Sequence, residues 1–430
     1  MRIILPLLVL LVALPAQAQV APDPARLRST VEHLVGFGTR HTLSDTESPT
    51  RGIGAARRWA GAELAKIGDA CGCIEVANIG RSFTGPRAPD GVEVVDVLGF
   101  QKGSDPKRVV IIMAHIDSRV TDVMNITSDA PGANDNGSGT ALVLEAARIL
   151  SKEKFQATIV YALLSGEEQG LWGGQLLADT AKEKGWNVTA VLNNDIVGNT
   201  IGQDGKRYAG HVRVFSEGIR AADALPDQLA RRADGGEDDG PSRALAKAID
   251  GIAGTIPGGL DVFVDRRPDR FGRGGDHIPF LALGYPAVRF SVAGENWDAQ
   301  HQDLRTENGR VYGDTPDRMD FAYLAKVTAI NVATVRRLAN APPAPGTVTL
   351  KGDLSFDTQV TWEAVPGAVK YRVYWRRNDA RDWTSHRDVT GTQAVLASVP
   401  VDDNFIGVSA ISADGSESLV TFGGRATVRR

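Results

Sequence analysis

The stretch VVIIMAHIDS (109–118) decides the fold of this chain, because an apolar run ends abruptly in histidine and aspartate. Valine and isoleucine favour β-strands, so the run predicts a strand that finishes near His115. Residues two apart on a strand point the same way, which places the His115 and Asp117 side chains on one side. The stretch therefore predicts a strand with polar chemistry at its end.

Acidic side chains follow three other segments in a similar way. Residues 157–164 form a nearly continuous apolar run, typical of a strand covered on both faces, and Glu167 and Glu168 come directly after it. Asp195 ends another predicted strand, and Asp135 lies in the glycine-rich stretch PGANDNGSG before a predicted helix. We expect these side chains to lie close together at the ends of the strands.

Predicted helices alternate with the strands along most of the chain, which indicates an α/β sandwich. The segment from 216 to 265 is less regular, and its mixed charges fit either an exposed helix or a mobile loop. The apolar periodicity predicts strands at 92–100, 108–114, 157–164, 188–196 and 286–292, and helices at 22–68, 138–151, 170–184 and 319–338.

The bulk composition is that of a water-soluble globular protein. A length of 430 residues predicts two domains, and the 42% hydrophobic and 23% charged fractions are ordinary for folded chains. The net charge of −4 gives no basic surface of the kind that binds nucleic acid or an anionic membrane. We therefore expect neither of these as a partner.

The first residues predict export. Residues 1–18 combine Arg2, an apolar run over 3–14 and the small-residue motif AQA, which is the pattern of a signal peptide. The run is shorter than the ~20 apolar residues that span a membrane, and no later segment is long enough. We expect a periplasmic or extracellular protein. Cys71 and Cys73 then form a disulfide or remain two free thiols, and the sequence leaves both open.

The C-terminal part has a different character. The first domain covers 19–340, the proline-rich stretch 341–347 is predicted to be a stiff linker, and residues 348–430 show the period-two pattern of a small β-sandwich. The stretch VTWEAVPGAVKYRVYWRR (360–377) resembles a fibronectin type III module. Its expected role is stability or spacing, with contact to a surface or carbohydrate as the alternative.

Charge arithmetic connects the acidic segments to metal ions. Asp135, Glu168 and Asp195 together carry −3 and a bridging hydroxide adds −1, which two divalent cations neutralise while Glu167 stays free. Oxygen and imidazole ligands without a thiolate suit zinc. The competing interpretations are a helix N-cap role for Asp135 and solvated surface positions for Glu167 and Glu168.

Six segments resemble one known family in sequence and in order. The motifs AHIDS, GANDNGSG, SGEEQGLWG, NNDIVG and GGDHIPF, followed by a late histidine, are similar to those of the co-catalytic di-zinc aminopeptidases. Glutamate carboxypeptidases and glutaminyl cyclases are relatives of that family. The resemblance covers about residues 24–340, includes FGTRHTLSD (37–45), and implies a mixed β-sheet sandwiched by helices.

The resemblance implies a ligand set for two zinc ions. Asp135 matches the carboxylate that bridges them. His115 and Asp195 would complete one ion, and Glu168 and His301 would complete the other. On the sequence alone, His301 is an ordinary histidine in a polar loop.

The remaining roles also come from the resemblance. Glu167 matches the general base, and Asp117 matches the carboxylate that accepts from the first histidine. Asp276 matches a supporting residue near the site. Some relatives stabilise the oxyanion with a tyrosine where this chain has Gly272, and Arg273 beside it is either a substitute or an ordinary surface arginine.

Together these observations predict a zinc-dependent exopeptidase, most simply an aminopeptidase that acts on the N-termini of peptides or proteins. A carboxypeptidase or a glutaminyl cyclase on the same fold is the enzymatic alternative. An inactive binding module, working through its β-sandwich, is the non-enzymatic one. Side-chain specificity and oligomeric state are not encoded in these motifs.

Overall fold

The structure is a computed structural model, and it describes residues 20–425. The predicted signal peptide, residues 1–18, lies outside the described residues. Between residues 20 and 425, every helix is too short or too polar to cross a bilayer.

The first part of the chain supplies all of the α-helices of the described residues. Glycine and proline mark several of their ends; for example, Gly72 closes the second helix in the left-handed conformation. The helices are α1 (Pro24–Val35), α2 (Gly52–Cys71), α3 (Gly139–Leu150), α4 (Glu167–Gly170), α5 (Trp172–Glu183), α6 (Leu225–Ala233), α7 (Pro241–Ala253), α8 (Ile278–Ala282) and α9 (Phe321–Asn340).

A mixed eight-stranded sheet forms the centre of this part, as the resemblance implied, in the order β1-β2-β4-β3-β5-β8-β6-β7. The four middle strands, β4, β3, β5 and β8, are parallel, and antiparallel pairs flank them. The strands are β1 (Ile74–Gly85), β2 (Ala88–Gln101), β3 (Asp105–His115), β4 (Ala157–Leu164), β5 (Asn187–Asn194), β6 (His211–Phe215), β7 (Asp261–Asp265) and β8 (Ala287–Val292).

The β3 strand explains why the sheet has a helical layer on each face. Val110, Ile112 and Ala114 belong to the core under α1, α2, α3 and α9, whereas Ile111 and Met113 belong to the core under α5 and α8. All five side chains are fully buried. Burying one such aliphatic side chain contributes about 1.5–3 kcal/mol, so the apolar run fixes β3 in the middle of the sandwich.

Two predicted elements differ from the observed ones. The helix predicted over 22–68 is interrupted by residues 36–51, because the buried Arg40 side chain in this loop donates to backbone carbonyls that a helix would not present. The irregular segment 216–265 contains α6, α7 and β7. Cys71 and Cys73 form a disulfide.

The C-terminal part is all β. Its two four-stranded sheets have the orders β15-β12-β11-β18 and β14-β13-β16-β17, and they enclose an apolar core that includes Val360, Val373 and Val408. A short hairpin of the first part, β9 (Arg305–Glu307) and β10 (Arg310–Tyr312), precedes them. The strands are β11 (Val348–Lys351), β12 (Thr358–Trp362), β13 (Lys370–Arg377), β14 (Ser385–Val389), β15 (Gln393–Leu396), β16 (Asn404–Ile411), β17 (Thr421–Phe422) and β18 (Gly424–Arg425).

Side-chain contacts hold the two parts together in addition to the chain connection. The guanidinium of Arg376 on β13 lies 2.5 Å from Asp239 of the first part, and both residues are buried. Arg425 pairs with Asp234 at 2.6 Å, and Arg381 pairs with Asp250 at 2.7 Å. The β-sandwich is therefore docked on the segment that contains α6 and α7.

Candidate metal centre

The fold brings the five predicted ligands to one place, at the carboxyl ends of β3, β4 and β5. This edge of a parallel sheet is where α/β proteins place their sites. Their ligand atoms form two groups of three, each within 4.8 Å, and Asp135 belongs to both. The groups are His115, Asp135 and Asp195, named here the first triad, and Asp135, Glu168 and His301, named the second triad.

Asp135 has the geometry of a bridging carboxylate. Its Oδ1 lies 3.3 Å from His115 Nε2, and its Oδ2 lies 2.8 Å from His301 Nε2. The terminal acids complete the triads, with Asp195 Oδ1 at 3.7 Å from His115 Nε2 and Glu168 Oε1 at 2.9 Å from His301 Nε2. Each oxygen of Asp135 therefore serves a different triad.

The residues of both triads fit a metal cation. Among the described residues, His115 Nε2 and Glu168 Oε1 are buried, face other groups of the triads and have no further hydrogen-bond partner. Burial lowers the pKa of His301, but the Glu168 and Asp135 carboxylates outweigh burial and raise this pKa to about 10. Burial likewise lowers the pKa of His115, but the carboxylates of Asp117, Asp135 and Asp195 raise this pKa well above its usual value. Positive charge therefore stabilises these buried carboxylates. Imidazole nitrogens and carboxylate oxygens are ligands that bind zinc in proteins.

Asp117 orients the first triad and also contacts the second. His115 Nδ1 lies 3.1 Å from the Asp117 backbone oxygen and 3.4 Å from its Oδ1. The other carboxylate oxygen accepts from Thr42 Oγ1 at 2.9 Å and from the Glu168 backbone N–H at 3.2 Å. A histidine whose second ring nitrogen meets an acceptor presents the first one unprotonated to a metal.

Asp314 is a supporting residue that the sequence analysis missed. Its two carboxylate oxygens accept from the backbone N–H groups of Asn134 at 2.8 Å and Asp135 at 2.7 Å. Burial raises the pKa of Asp314 to about 7, although these two hydrogen bonds oppose the shift. The carboxylate fixes the backbone that carries the bridging ligand. Its only signal was a single aspartate in a polar loop, which no spacing rule singles out.

Arg40 also supports the loop that carries Asp135, and the sequence motifs did not identify this role. The fully buried guanidinium donates to the backbone oxygens of Ile116, Pro131 and Gly132 at 2.7, 2.7 and 2.9 Å. It therefore links the end of β3 to the loop of the bridging carboxylate. The resemblance of FGTRHTLSD to family relatives was the signal that pointed to this region.

Two further arginines contact the terminal acids. Arg289 Nη2 lies 3.0 Å from Asp195 Oδ2, and Arg119 Nε donates to Glu168 Oε2 at 2.8 Å. In each acid, the oxygen that faces away from the histidine is therefore neutralised by an arginine, and the other oxygen is left for the triad. Neither arginine belongs to a motif, so sequence analysis did not identify them.

Glu167 and Glu168 are adjacent at the start of α4, and their side chains have different surroundings. Glu168 is buried in the second triad, whereas Glu167 is only partly buried. Burial raises the pKa of Glu167 well above its usual value; the charge on His115 opposes this, and the charges of Asp195 and Glu168 add to it. A carboxyl group with a raised pKa beside a cation site has the properties of a general base.

The remaining predicted residues, Asp276 and Arg273, have different surroundings. Asp276 is fully buried, accepts from the Gly174 backbone N–H at 3.0 Å, and lies close enough to raise the pKa of Glu167. Arg273 donates to Glu295 at 2.8 Å and is more exposed, which matches its interpretation as a surface arginine. Its proposed oxyanion role stays a prediction.

Known proteins resemble most of the chain. Residues 96–335 match the family described as Peptidase family M28. A probable zinc metalloprotease of Leptosphaeria maculans is 42% identical over 93% of this chain and 94% of its own length. A probable zinc metalloprotease of Pyricularia oryzae is 42% identical over 93% of this chain and 82% of its own length.

Solved structures share the fold of the first part. The LapA aminopeptidase of Legionella pneumophila has a TM-score of 0.51 at 17% identity, over 74% of this chain and 73% of its own. A glutaminyl cyclase of Porphyromonas gingivalis has a TM-score of 0.52 at 17% identity, over 74% of this chain and 99% of its own. The sequence match, the shared fold and the two triads together place this chain in peptidase family M28, as a zinc metalloprotease.

Proposed function

We propose that this protein is an exported aminopeptidase that works with two zinc ions and uses Glu167 as its general base. The single observation that carries the proposal is the complete pair of triads joined by Asp135. A protein that had lost its chemistry would be expected to have lost at least one of these ligands. The binding-module alternative is therefore disfavoured.

When bound, the two zinc ions would acidify a water molecule and polarise the scissile carbonyl. His115, Asp195, Glu168, His301 and Asp135 would hold them.

Glu167 accepts the proton of the attacking water and delivers it to the departing amine. Its partly buried position leaves the carboxylate open to the substrate while its neighbour Glu168 faces the second triad. The raised pKa of Glu167 suits both halves of this transfer, because the group must take up and release a proton near neutral pH.

The two named structural neighbours favour different reactions. An aminopeptidase and a glutaminyl cyclase are equally similar to this fold, so the fold does not discriminate between them. The complete ligand set of both triads is what favours a two-ion hydrolase. Export is supported by the Cys71–Cys73 disulfide, since such bonds persist in oxidising compartments.

The test is to count zinc in the purified protein and to measure turnover of a panel of peptides. We expect two zinc ions per chain. Peptides with a free amino group should be cleaved whether their C-terminus is free or amidated, and N-acetylated peptides should not. A requirement for the free carboxylate would make the enzyme a carboxypeptidase, and ammonia release from N-terminal glutamine would make it a cyclase.

A further inference from the structure

A cavity of about 330 Å³ lies between the two parts of the chain. Its walls include residues 187–189 at the start of β5, residues 341–346 of the linker and residues 418–422 of the β-sandwich. The metal ligands lie at the carboxyl ends of the strands, so this cavity is at the opposite edge of the sheet. Its volume lies in the range that accepts a small organic molecule.

The walls of this cavity are apolar. Leu338 and Leu419 are buried there, and the hydroxyl groups of Ser418 and Thr421 donate to backbone oxygens of the protein at 2.9 and 2.5 Å. Proline carries no N–H group, so it adds no backbone donor to a wall. Five prolines line the cavity, namely Pro241, Pro286, Pro342, Pro343 and Pro345. A peptide carbonyl in this space would lose its hydrogen bonds to water without replacement, so the walls favour a hydrocarbon.

Arg231 brings an incompletely paired positive charge to this apolar space. Its Nη1 makes a long contact of 3.5 Å with the Asp239 backbone oxygen, and its other nitrogens have no hydrogen-bond or ion-pair partner between residues 20 and 425. Arg220 lines the same cavity; its Nη2 lies 2.8 Å from Asp223 Oδ1, and its Nε is buried without a hydrogen-bond partner in the described part of the chain. A guanidinium stays charged and binds a carboxylate through two parallel hydrogen bonds. The two arginines therefore favour a ligand that carries a carboxylate.

Asp239 also lines the cavity, but other cations already balance its charge. Its Oδ1 lies 2.8 Å from Lys247 and its Oδ2 lies 2.5 Å from Arg376, and neither of these cations is a wall residue. Asp239 therefore leaves Arg231 available to an incoming anion. All nine residues of α6, which carries Arg231, are at least partly exposed, so this side chain can adjust to a ligand.

We propose that this cavity binds a carboxylate with an unsubstituted hydrocarbon chain, the chemistry of a medium-chain fatty acid. The carboxylate pairs with the guanidinium of Arg231, Arg220 adds positive charge, and the chain lies against the proline-rich walls. The ligand contacts both parts of the chain and the linker, so its binding stabilises their docked arrangement. The site uses no residue of the metal centre and is independent of the peptidase function.

Isothermal titration calorimetry on the zinc-containing full-length protein tests this site with hexanoate, octanoate, octan-1-ol and N-acetyl-leucyl-leucine. We expect one octanoate to bind per chain. Burial of each CH₂ group tightens binding about fourfold, so octanoate should bind about 15-fold tighter than hexanoate. Octan-1-ol lacks the charge and the acetylated dipeptide has a polar body, so both should bind more weakly than octanoate.

The decisive variant is Arg231→Met, which keeps an apolar stem and removes the charge. A hydrogen bond between charged groups changes affinity about 10–100-fold, so octanoate should bind more weakly by that factor while octan-1-ol binds as in the wild type. Arg232→Met is the matched control, because Arg232 is the next residue of α6, is 66% exposed and is not a wall residue. The control should keep the wild-type affinity for octanoate. Circular dichroism verifies the folding of both variants.

Four results would overturn the site. These are no octanoate binding at millimolar concentration, an octanoate affinity that Arg231→Met leaves unchanged, an equal loss in Arg232→Met, and tighter binding of the acetylated dipeptide than of octanoate. The second result would place the carboxylate elsewhere, for example on the zinc ions. Zinc content and peptide turnover are measured separately, so failure of this site leaves the proposed function intact.

Discussion

The metal centre and the interface between the two parts both bury charged side chains, but they balance them differently. At the interface, Asp239 lies 2.8 Å from Lys247 and 2.5 Å from Arg376, so the protein supplies the cations itself. At the metal centre, His115 Nε2 and Glu168 Oε1 are buried and have no hydrogen-bond partner beyond the other groups of the triads. We name the first arrangement, comprising Asp238, Asp239, Arg243, Lys247 and Arg376, the docking network.

The comparison teaches how to distinguish a structural charge cluster from a site. Burying a carboxylate is costly unless a cation or several donors face it. The docking network meets that requirement with lysine and arginine side chains of the protein itself. The triads meet it with histidines whose ligand nitrogens converge between the acids, and this is where an external cation completes the balance.

The largest effect should come from Glu167, the acid that we propose as the general base. Glu167→Gln keeps both triads intact but removes the proton acceptor, so we expect two bound zinc ions and a turnover rate lower by about 10²–10⁴-fold. Steady-state kinetics and zinc analysis on the same sample check this. Glu183→Gln, at an exposed position on α5, is the control. Near wild-type turnover in Glu167→Gln would remove Glu167 from the mechanism.

A substitution in the docking network should lower the stability of the protein and leave its turnover rate unchanged. Arg376→Met leaves Asp239 buried with a single cation, and breaking a buried pair in this way costs about 3–5 kcal/mol. We expect the free energy of unfolding to fall by an amount of that order in a denaturant titration, with unchanged turnover per folded molecule. Replacing both partners, in Arg376→Met with Asp239→Asn, should cost less than the two single changes summed. Additive losses would contradict a direct pairing.

Zinc removal should affect the metal centre and leave the docking network unchanged. A ligand that binds only the folded state stabilises it by about 2.7 kcal/mol at a hundred times its dissociation constant, so chelation should lower the melting temperature and abolish turnover. Restoring zinc should recover both. The Arg376→Met change and zinc removal should add, because they act on different regions. An unchanged melting temperature after complete zinc removal would show that the triads are stable without metal.

The smallest effect should come from a surface pair in the β-sandwich. Hydrogen bonds from Arg372, and then from Lys370, hold the pKa of Asp388 well below its ordinary value, with burial opposing them. A lowered folded-state pKa stabilises the fold above the unfolded pKa of about 3.9, and this contribution is lost as the pH falls further. The pair is partly exposed, so we expect only about 0.2–1 kcal/mol. The stability difference between wild type and Asp388→Asn should shrink between pH 7 and pH 3.

Much of the fold followed from short-range patterns. The apolar runs of β3 and β4 predicted buried strands, and every residue of 157–164 is indeed buried. The sheet edges were harder to predict. β1 alternates between partly buried and exposed positions, and β6 and β7 have only five residues each, so none presents an apolar run of useful length.

The residues of the candidate site also differ in how well the sequence predicts them. The triad residues lie at strand ends or in motifs, and the structure brings all five together. Asp314, Arg119 and Arg289 support the triads from distant points of the chain, and each is a lone charged residue without a local pattern. The docking network is similarly invisible in sequence, because Asp239 and Arg376 are 137 residues apart. Contacts of this kind are specified by the tertiary fold alone.

Asp135 gives each of its oxygens to a different histidine. A change at this position damages both halves of the centre together, whereas a change at His301 or Asp195 spares the opposite half. The shared carboxylate therefore couples the two triads, and the outer residues are the positions at which one triad can change without the other.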